Sequence, residues 1–335
     1  MNKVTVKTKV SNSTFINISM LGVLLLFMIV AALIAPRFFD ITNFANVISQ
    51  QANLIVVGIG ITFLLITGNF DLSVGGVIAF AGVLIAYFSQ SADSGSDIVL
   101  GNGLGMNYGL AIVLTLAACL LIGAINAFFI VKMKVASVII TLGTMAVSRG
   151  IAMVAAKGAL RNVGLPDVFK ELGRISIVGP INLPVIIMVV LVALALVIEK
   201  KTLFGKRMYL IGANKDAALL SGIDVGRQLT VLYLLSSLFA GITGIIMASK
   251  FNAGIAATAQ GTEFEVLVVT VLGGTSISGG FGSVISLVLG AYILGVLSNT
   301  LNLMGLPPDI QTVVKGIVII VAVILQRLAL SRREN

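Results

Sequence analysis

Apolar residues fill this chain in blocks of about twenty, separated by short polar or glycine-bearing joints. A helix rises ~1.5 Å per residue, so ~20 apolar residues cross the hydrocarbon core of a bilayer. The pattern predicts ten spans, near residues 15–35, 46–67, 72–90, 107–131, 135–156, 183–198, 228–249, 262–279, 283–303 and 310–327. The first run, Phe15–Ala35, follows Lys3, Lys7 and Lys9 and stops at Pro36. It exceeds the ~7–15 apolar residues of a signal peptide and reads as a spanning anchor. The joints at Asn69–Asp71 and Gly279–Gly282 are only a few residues wide. Such joints predict broken or re-entrant helices, which membranes tolerate where protein buries them or where they line a cavity. One long stretch, Glu199–Arg227, breaks the apolar pattern and is hydrophilic.

Composition agrees. Of 335 residues, 58% are hydrophobic and 10% charged, against ~25% charged in a soluble domain. The fold class expected is an all-α polytopic membrane protein with short broken or re-entrant Gly-rich segments. It reads as a single transmembrane domain over 1–335, with a tail at 1–14, a loop at 199–227 and a tail at 328–335. The 36 glycines suit close helix packing. With one cysteine, Cys119, there is no disulfide framework, and with no histidine there is no His-based acid–base pair or His metal site. No nucleophile–base pair stands out, so an enzyme is not expected. The formal charge of +9 is read as retention of Lys and Arg on the cytoplasmic side rather than as nucleic-acid binding. With the N-terminus inside, the inner segments hold Lys3, Lys7, Lys9, Lys132, Lys134, the basic residues of 199–227 and the C-terminal arginines. The outer ones hold fewer: Arg37, Lys157, Arg161, Lys170, Arg174 and Lys250. Both termini and the central loop are therefore expected in the cytoplasm.

Within that loop, Asn214–Ser221 reads as a short helix. Asn214 is a good N-cap, Asp216 lies in the first turn where the dipole favours an anion, and Gly222 stands where a left-handed C-cap is needed. So short a helix needs packing or a partner.

Polar residues in the spans are the other candidates. Asp71, flanked by Asn69 and Ser73, is read first as the start signal of the third span and second as a site group. Glu263 and Glu265 open the eighth span, offsetting its dipole or forming an outer gate. Arg149 is expected to snorkel to the interface. Asn126 on the fourth span and Gln311 on the tenth are read first as bonding between helices and second as lining a path.

Three motifs carry a resemblance. Thr202-Leu-Phe-Gly-Lys-Arg, Ile211-Gly-Ala-Asn and Ala217-Ala-Leu-Leu-Ser-Gly-Ile form the first. Gly68-Asn-Phe-Asp-Leu-Ser-Val-Gly-Gly is the second. Gly261-Thr-Glu-Phe-Glu with Val271-Leu-Gly-Gly-Thr-Ser-Ile-Ser-Gly-Gly-Phe-Gly-Ser is the third. In this order they resemble ribose-type sugar permeases, the membrane subunits of ATP-binding-cassette importers, within the ribose/xylose/branched-chain-amino-acid permease superfamily. The resemblance implies a bacterial plasma-membrane subunit that moves a monosaccharide by alternating access. It implies a second permease copy, identical or paralogous, a cytoplasmic ATPase and an extracytoplasmic sugar-binding protein. Asn214, Lys215, Asp216, Ala217, Ala218, Ser221 and Gly222 would form the coupling helix, with the small Ala217 and Ala218 admitting the ATPase. The chain has no Gly-x-x-x-x-Gly-Lys-[Ser/Thr] phosphate loop, so ATP and Mg would bind the partner and no cofactor this chain. Asn69, Asp71, Ser73, Asn126, Thr141, Thr144 and Glu263 are the candidates for the path or gate. Related permeases carry autoinducer-2-like or nucleoside-type ligands, which are alternatives. An ion-coupled secondary transporter is a further one, disfavoured by the missing histidine.

Overall fold

The computed structural model describes residues 7–91, 103–156, 165–178 and 181–331. The described residues are predominantly helical. The membrane-scale helices are α1 (Lys7–Ile34), α2 (Ile41–Ile66), α3 (Val74–Ser89), α4 (Tyr108–Ala127) and α5 (Ser137–Ala156). A π-helical turn, Phe128–Lys132, extends α4. A short α6 (Asp167–Leu172) and a hairpin of β1 (Ser176–Val178) antiparallel to β2 (Ile181–Asn182) lead to α7 (Leu183–Lys201). Then come α8 (Leu203–Ala213), α9 (Lys215–Leu220), α10 (Val225–Phe251), α11 (Thr262–Leu272), α12 (Val284–Leu303) and α13 (Pro308–Ser331).

Seven helices among the described residues are long and apolar enough to cross a membrane: α1, α2, α4 with its π turn, α5, α7, α10 and α12. Two of the expected spans are shorter in the structure. The third is α3, with 16 residues. The eighth is the 11-residue α11, followed by a non-helical glycine-rich turn.

Burial sorts the helices into an inner and an outer set. The most apolar windows of α2, α10 and α12 are 72%, 67% and 67% buried, against 6% for α1 and 22% for α4 and α5. Lipid is as apolar as leucine, so close packing rather than hydrophobicity holds the inner set together. Two glycines show how. A Cβ on Gly60 of α2 would lie 2.7 Å from the Cα of Ser236 on α10. One on Gly244 of α10 would lie 2.4 Å from the carbonyl of Ile78 on α3.

The two broken joints meet. The Gly280 amide donates to the Ile66 carbonyl, which ends α2, at 2.8 Å. Against the same carbonyl packs Gly212, near the end of α8, where a Cβ would come within 1.8 Å of the oxygen. Three backbone segments distant in sequence thus share one point, and the Ile211-Gly-Ala-Asn motif supplies the glycine that lets them.

The hydrophilic stretch 199–227 is more structured than expected. It folds into α8 and α9, and part of it is buried, including Gly205, Met208, Ile211 and Ala218. Its first residue, Glu199, is also buried. The Glu199 carboxylate accepts the Val284 amide at 2.8 Å, capping α12 from another helix.

Candidate functional site

The site has two parts, a displayed short helix and a buried polar joint, connected through the contact at Ile66.

The displayed part is α9. Asn214 closes α8 and opens α9, and its Oδ1 accepts the Ala217 amide at 2.9 Å. At the other end the Ile223 amide donates to the Ala218 carbonyl at 3.1 Å and the Gly222 amide to Leu219 at 3.0 Å. This double closure requires a left-handed residue, and Gly222 has φ +77° with open space around its Cα. Asn214, Lys215, Asp216, Ala217, Ser221 and Gly222 are exposed. Ala218 is not. It is buried in the core, so it does not face a partner as expected; in so short a helix its position turns it onto the bundle. What α9 offers outward in its place is Leu220, 91% exposed. A cavity of about 790 Å³ opens beside α9, lined by Lys215, Asp216, Leu219, Asn69, Phe70 and Ser137.

The buried part begins at Asp71, between α2 and α3. Its Oδ1 accepts the Ser73 amide at 2.9 Å and the Ser73 hydroxyl at 2.5 Å. Its Oδ2 accepts the Ser236 hydroxyl from α10 at 2.6 Å. Asn126 of α4 donates from Nδ2 to the Ser73 Oγ at 3.1 Å, and its Oδ1 accepts from Thr144 of α5 at 2.7 Å. Beside this chain the Tyr233 hydroxyl donates to the Phe70 carbonyl at 3.1 Å, and the Phe70 amide to the Ser137 Oγ at 3.3 Å. One buried network therefore joins α3, α4, α5 and α10 around Asp71. Every oxygen of that carboxylate is satisfied, which a carboxylate away from water requires. Asp71 does not cap α3, whose N-cap is Ser73; it holds the turn before that helix through Ser73 and ties it to α10 through Ser236.

The remaining candidates divide. Asn69 bonds locally to the Thr67 carbonyl at 3.2 Å and borders the large cavity. Thr141 is buried but donates back along its own helix to Ser137 at 2.8 Å, outside the network. Glu263 is buried on the flank of α3, where its carboxylate lies over Gly75 so closely that a Cβ there would sit 1.9 Å from Oε2. Its neighbour Arg149 donates to the Ala259 carbonyl at 3.3 Å. That corrects the expectation that Arg149 snorkels: its guanidinium is held inward on the carbonyl of a left-handed turn (Ala259, φ +59°), which also accepts the Thr262 amide at 3.2 Å.

Sequence reasoning missed Ser236, Tyr233, Tyr209 and Glu199. Ser236 had a faint signal, a hydroxyl pair with Ser237 in mid-span. Tyr209 donates to the Gly282 carbonyl at 2.7 Å. Burial, then the Glu199 charge, push its phenol above the ordinary value, so it stays a donor. Among the described residues no group of three or more acidic, Cys or His side chains converges as a metal site would.

Residues 43–323 match the family described as branched-chain amino acid transport system / permease component. Among curated relatives, the ribose import permease protein RbsC of Bacillus subtilis (strain 168) is 36% identical, over 91% of this chain and 90% of the relative. RbsC of Escherichia coli (strain K12) is 33% identical over 92% of each chain. The L-arabinose transport system permease protein AraH of the same strain is 34% identical over 92% of this chain and 89% of the relative. No solved structure matches the chain. With a family match over most of its length and relatives this similar end to end, the chain belongs to the branched-chain amino acid transport system permease component family.

Proposed function

We propose that this chain is the membrane-spanning subunit of an ATP-binding-cassette importer for a monosaccharide, a ribose-like pentose or related sugar. The observation that carries the reading is α9. It is capped at both ends, too short to persist alone, and it presents Leu220 to water. An apolar side chain held out this way suits a cleft on a partner. That partner is a cytoplasmic ATPase holding ATP and Mg, with no cofactor on this chain. Similarity to ribose and arabinose permeases supports the sugar.

In this reading the single domain crosses the bacterial plasma membrane ten times, with both termini and 199–227 in the cytoplasm. The chain pairs with a second permease, identical or paralogous, and receives sugar from an extracytoplasmic binding protein. Movement of α9 passes through α8 to the Gly212–Ile66–Gly280 contact, and from the end of α2 to Asp71. There the network holds α3, α4, α5 and α10 in one arrangement, and alternating access exchanges it for another. Asn69, Asp71, Ser73, Asn126, Thr141, Thr144 and Glu263 belong to the path or its gate.

The test is uptake of labelled ribose and arabinose by proteoliposomes holding permease, ATPase and binding protein. Uptake that requires ATP is expected. Uptake that persists without ATP and follows a proton or sodium gradient overturns the importer reading in favour of a secondary transporter. ATP-dependent uptake of a nucleoside or an autoinducer-2-like ligand, with none of sugar, keeps the mechanism and replaces the substrate.

A further inference from the structure

The eighth span is helical over only part of its length. Its helix α11 has 11 residues, ~16 Å at ~1.5 Å each, against the ~30 Å of a hydrocarbon core. Residues 273–283 complete the way to α12 without helix. They fold on themselves: the Thr275 amide donates to the Thr270 carbonyl at 3.1 Å, and the Ser276 amide to the Phe281 carbonyl at 2.9 Å. The tip, Ile277 and Ser278, is exposed, while Thr275, Gly282 and Ser283 are buried. Non-helical backbone in a span is tolerated where protein buries it or where it lines a cavity. Here the base is buried, and a Cβ on Gly279 would lie 2.8 Å from the amide nitrogen of Gly68, a residue in the wall of the cavity beside α9.

Helix α8 lies along this segment. Tyr209, Gly212 and Ala213 stand at i, i+3 and i+4, on one face of that helix. The Tyr209 hydroxyl donates to the Gly282 carbonyl at 2.7 Å. A Cβ on Gly280 would lie 3.3 Å from the Ala213 Cα, and one on Gly279 would lie 3.2 Å from the Gly212 carbonyl oxygen. The face therefore follows the backbone from 279 to 282. The corner before α8 holds the next residue. There the Glu199 carboxylate accepts the Val284 amide at 2.8 Å, and the Tyr209 phenol lies beside that carboxylate. The corner is closely packed: the Glu199 carbonyl leaves no room for a Cβ on Gly205, and the Thr202 hydroxyl donates to the Ile198 carbonyl at 2.6 Å. The end of α7 and α8 thus form one stiff bracket. The segment it grips is the softer part, because Gly279 and Gly280, at φ +85° and +76°, take either sign of φ at little cost.

We propose that residues 273–283 are a cytoplasmic gate moved by α8, with Tyr209 and Glu199 as the positioning residues that bind it to that bracket. The inference rests on the import reading, which docks α9 on an ATPase. Displacement of α9 turns α8, and α8 carries Gly282 and Val284 with it through the two hydrogen bonds. This is a route additional to the Ile66 contact. That contact passes motion to the end of α2; Tyr209 and Glu199 pass it to the joint between α11 and α12.

The experiment uses permease, ATPase and binding protein assembled in proteoliposomes, with D-ribose and L-arabinose as cargo. ATP hydrolysed per sugar taken up is measured for wild type, Tyr209→Phe, Glu199→Leu and Glu199→Gln, with thermal unfolding alongside. Tyr209→Phe keeps the ring and removes one neutral hydrogen bond; it is expected to raise the ratio roughly three- to tenfold. Glu199→Leu is expected to raise it at least as far. Glu199→Gln, which keeps an oxygen for the Val284 amide, is expected to bring it back to within about twofold of wild type. A second arm needs no cargo. Bimane on Ser278→Cys, in a Cys119→Ala background, reports on the tip. Its emission is expected to shift between the nucleotide-free and ATP–vanadate states, and the shift to shrink in Tyr209→Phe. Residues kept only for stability lower the melting temperature, hydrolysis and uptake together and leave the ratio unchanged. That result, or a bimane signal indifferent to nucleotide, overturns the gate, while ATP-driven uptake by wild type keeps the import reading. Should Glu199→Leu misfold, Tyr209→Phe decides alone. If ATP drives uptake of neither sugar while the tip still follows nucleotide, the sugar reading falls and the gate stands. If neither occurs, both fall.

Discussion

At the residue scale, Asp71 decides most. Its two oxygens accept three hydrogen bonds, from the Ser73 amide and hydroxyl and from Ser236. Asp71→Ala leaves those donors buried and unpaired, at about 1–3 kcal/mol each. A melting temperature several degrees lower and loss of uptake are expected. Asp71→Asn keeps the shape and one acceptor oxygen, and the Ser236 hydroxyl can rotate to accept from the new amide. It should retain the fold and differ from wild type chiefly in transport rate, as measured by thermal unfolding and uptake side by side. Equal behaviour of the two variants would remove the network from the mechanism. Gly212 gives a steric counterpart. A methyl group there would lie 1.8 Å from the Ile66 carbonyl, so Gly212→Ala must displace backbone. Overpacking of this kind costs about 1–3 kcal/mol. Reduced thermal stability together with ATP hydrolysis no longer matched by uptake is expected.

At the element scale, α9 is the piece to test. Leu220→Asp puts a charge on its most exposed apolar position and touches nothing in the core. Membrane insertion and thermal stability are expected to be unchanged, with co-purification of the ATPase lost; retained co-purification would refute docking through α9. Gly222→Val acts differently. No atom lies within 4 Å of its added Cβ, but φ +77° strains any β-branched residue. The cap should open at a cost of about 1–2 kcal/mol, weakening ATPase association, whereas Gly222→Asn, which tolerates that conformation, should be milder. The sequence made much of this element legible. Asn214, Asp216 and Gly222 announce its ends because capping is local chemistry. The inward turn of Ala218 and the exposure of Leu220 were not legible, since six residues give no periodicity from which to tell a buried face from a free one.

At the scale of the whole molecule, topology is the open prediction. Cys119 is the only cysteine, and it is buried, so a Cys119→Ala background gives a clean labelling template. A cysteine at Ser221 should react with a membrane-impermeant maleimide only from the cytoplasmic side, and one at the exposed Thr42 only from outside. Labelling of both from one side would overturn the orientation. The amino-acid order alone determined the membrane class, the places where helices break, the caps of α9 and the absence of a phosphate loop. These follow from hydropathy, glycine, proline and capping residues, each of which acts within a few positions along the chain. Tertiary structure alone decided which helices are inner, that the α2–α3 and α11–α12 joints meet at Ile66, and that Ser236 and Asn126 reach the Asp71 cluster. Those contacts join residues more than fifty positions apart. In a bilayer no polar-outside pattern marks the inner face of a helix, because lipid and protein interior are equally apolar. Packing, and the need of each buried polar group for a partner, selects that face only once all the helices are in place.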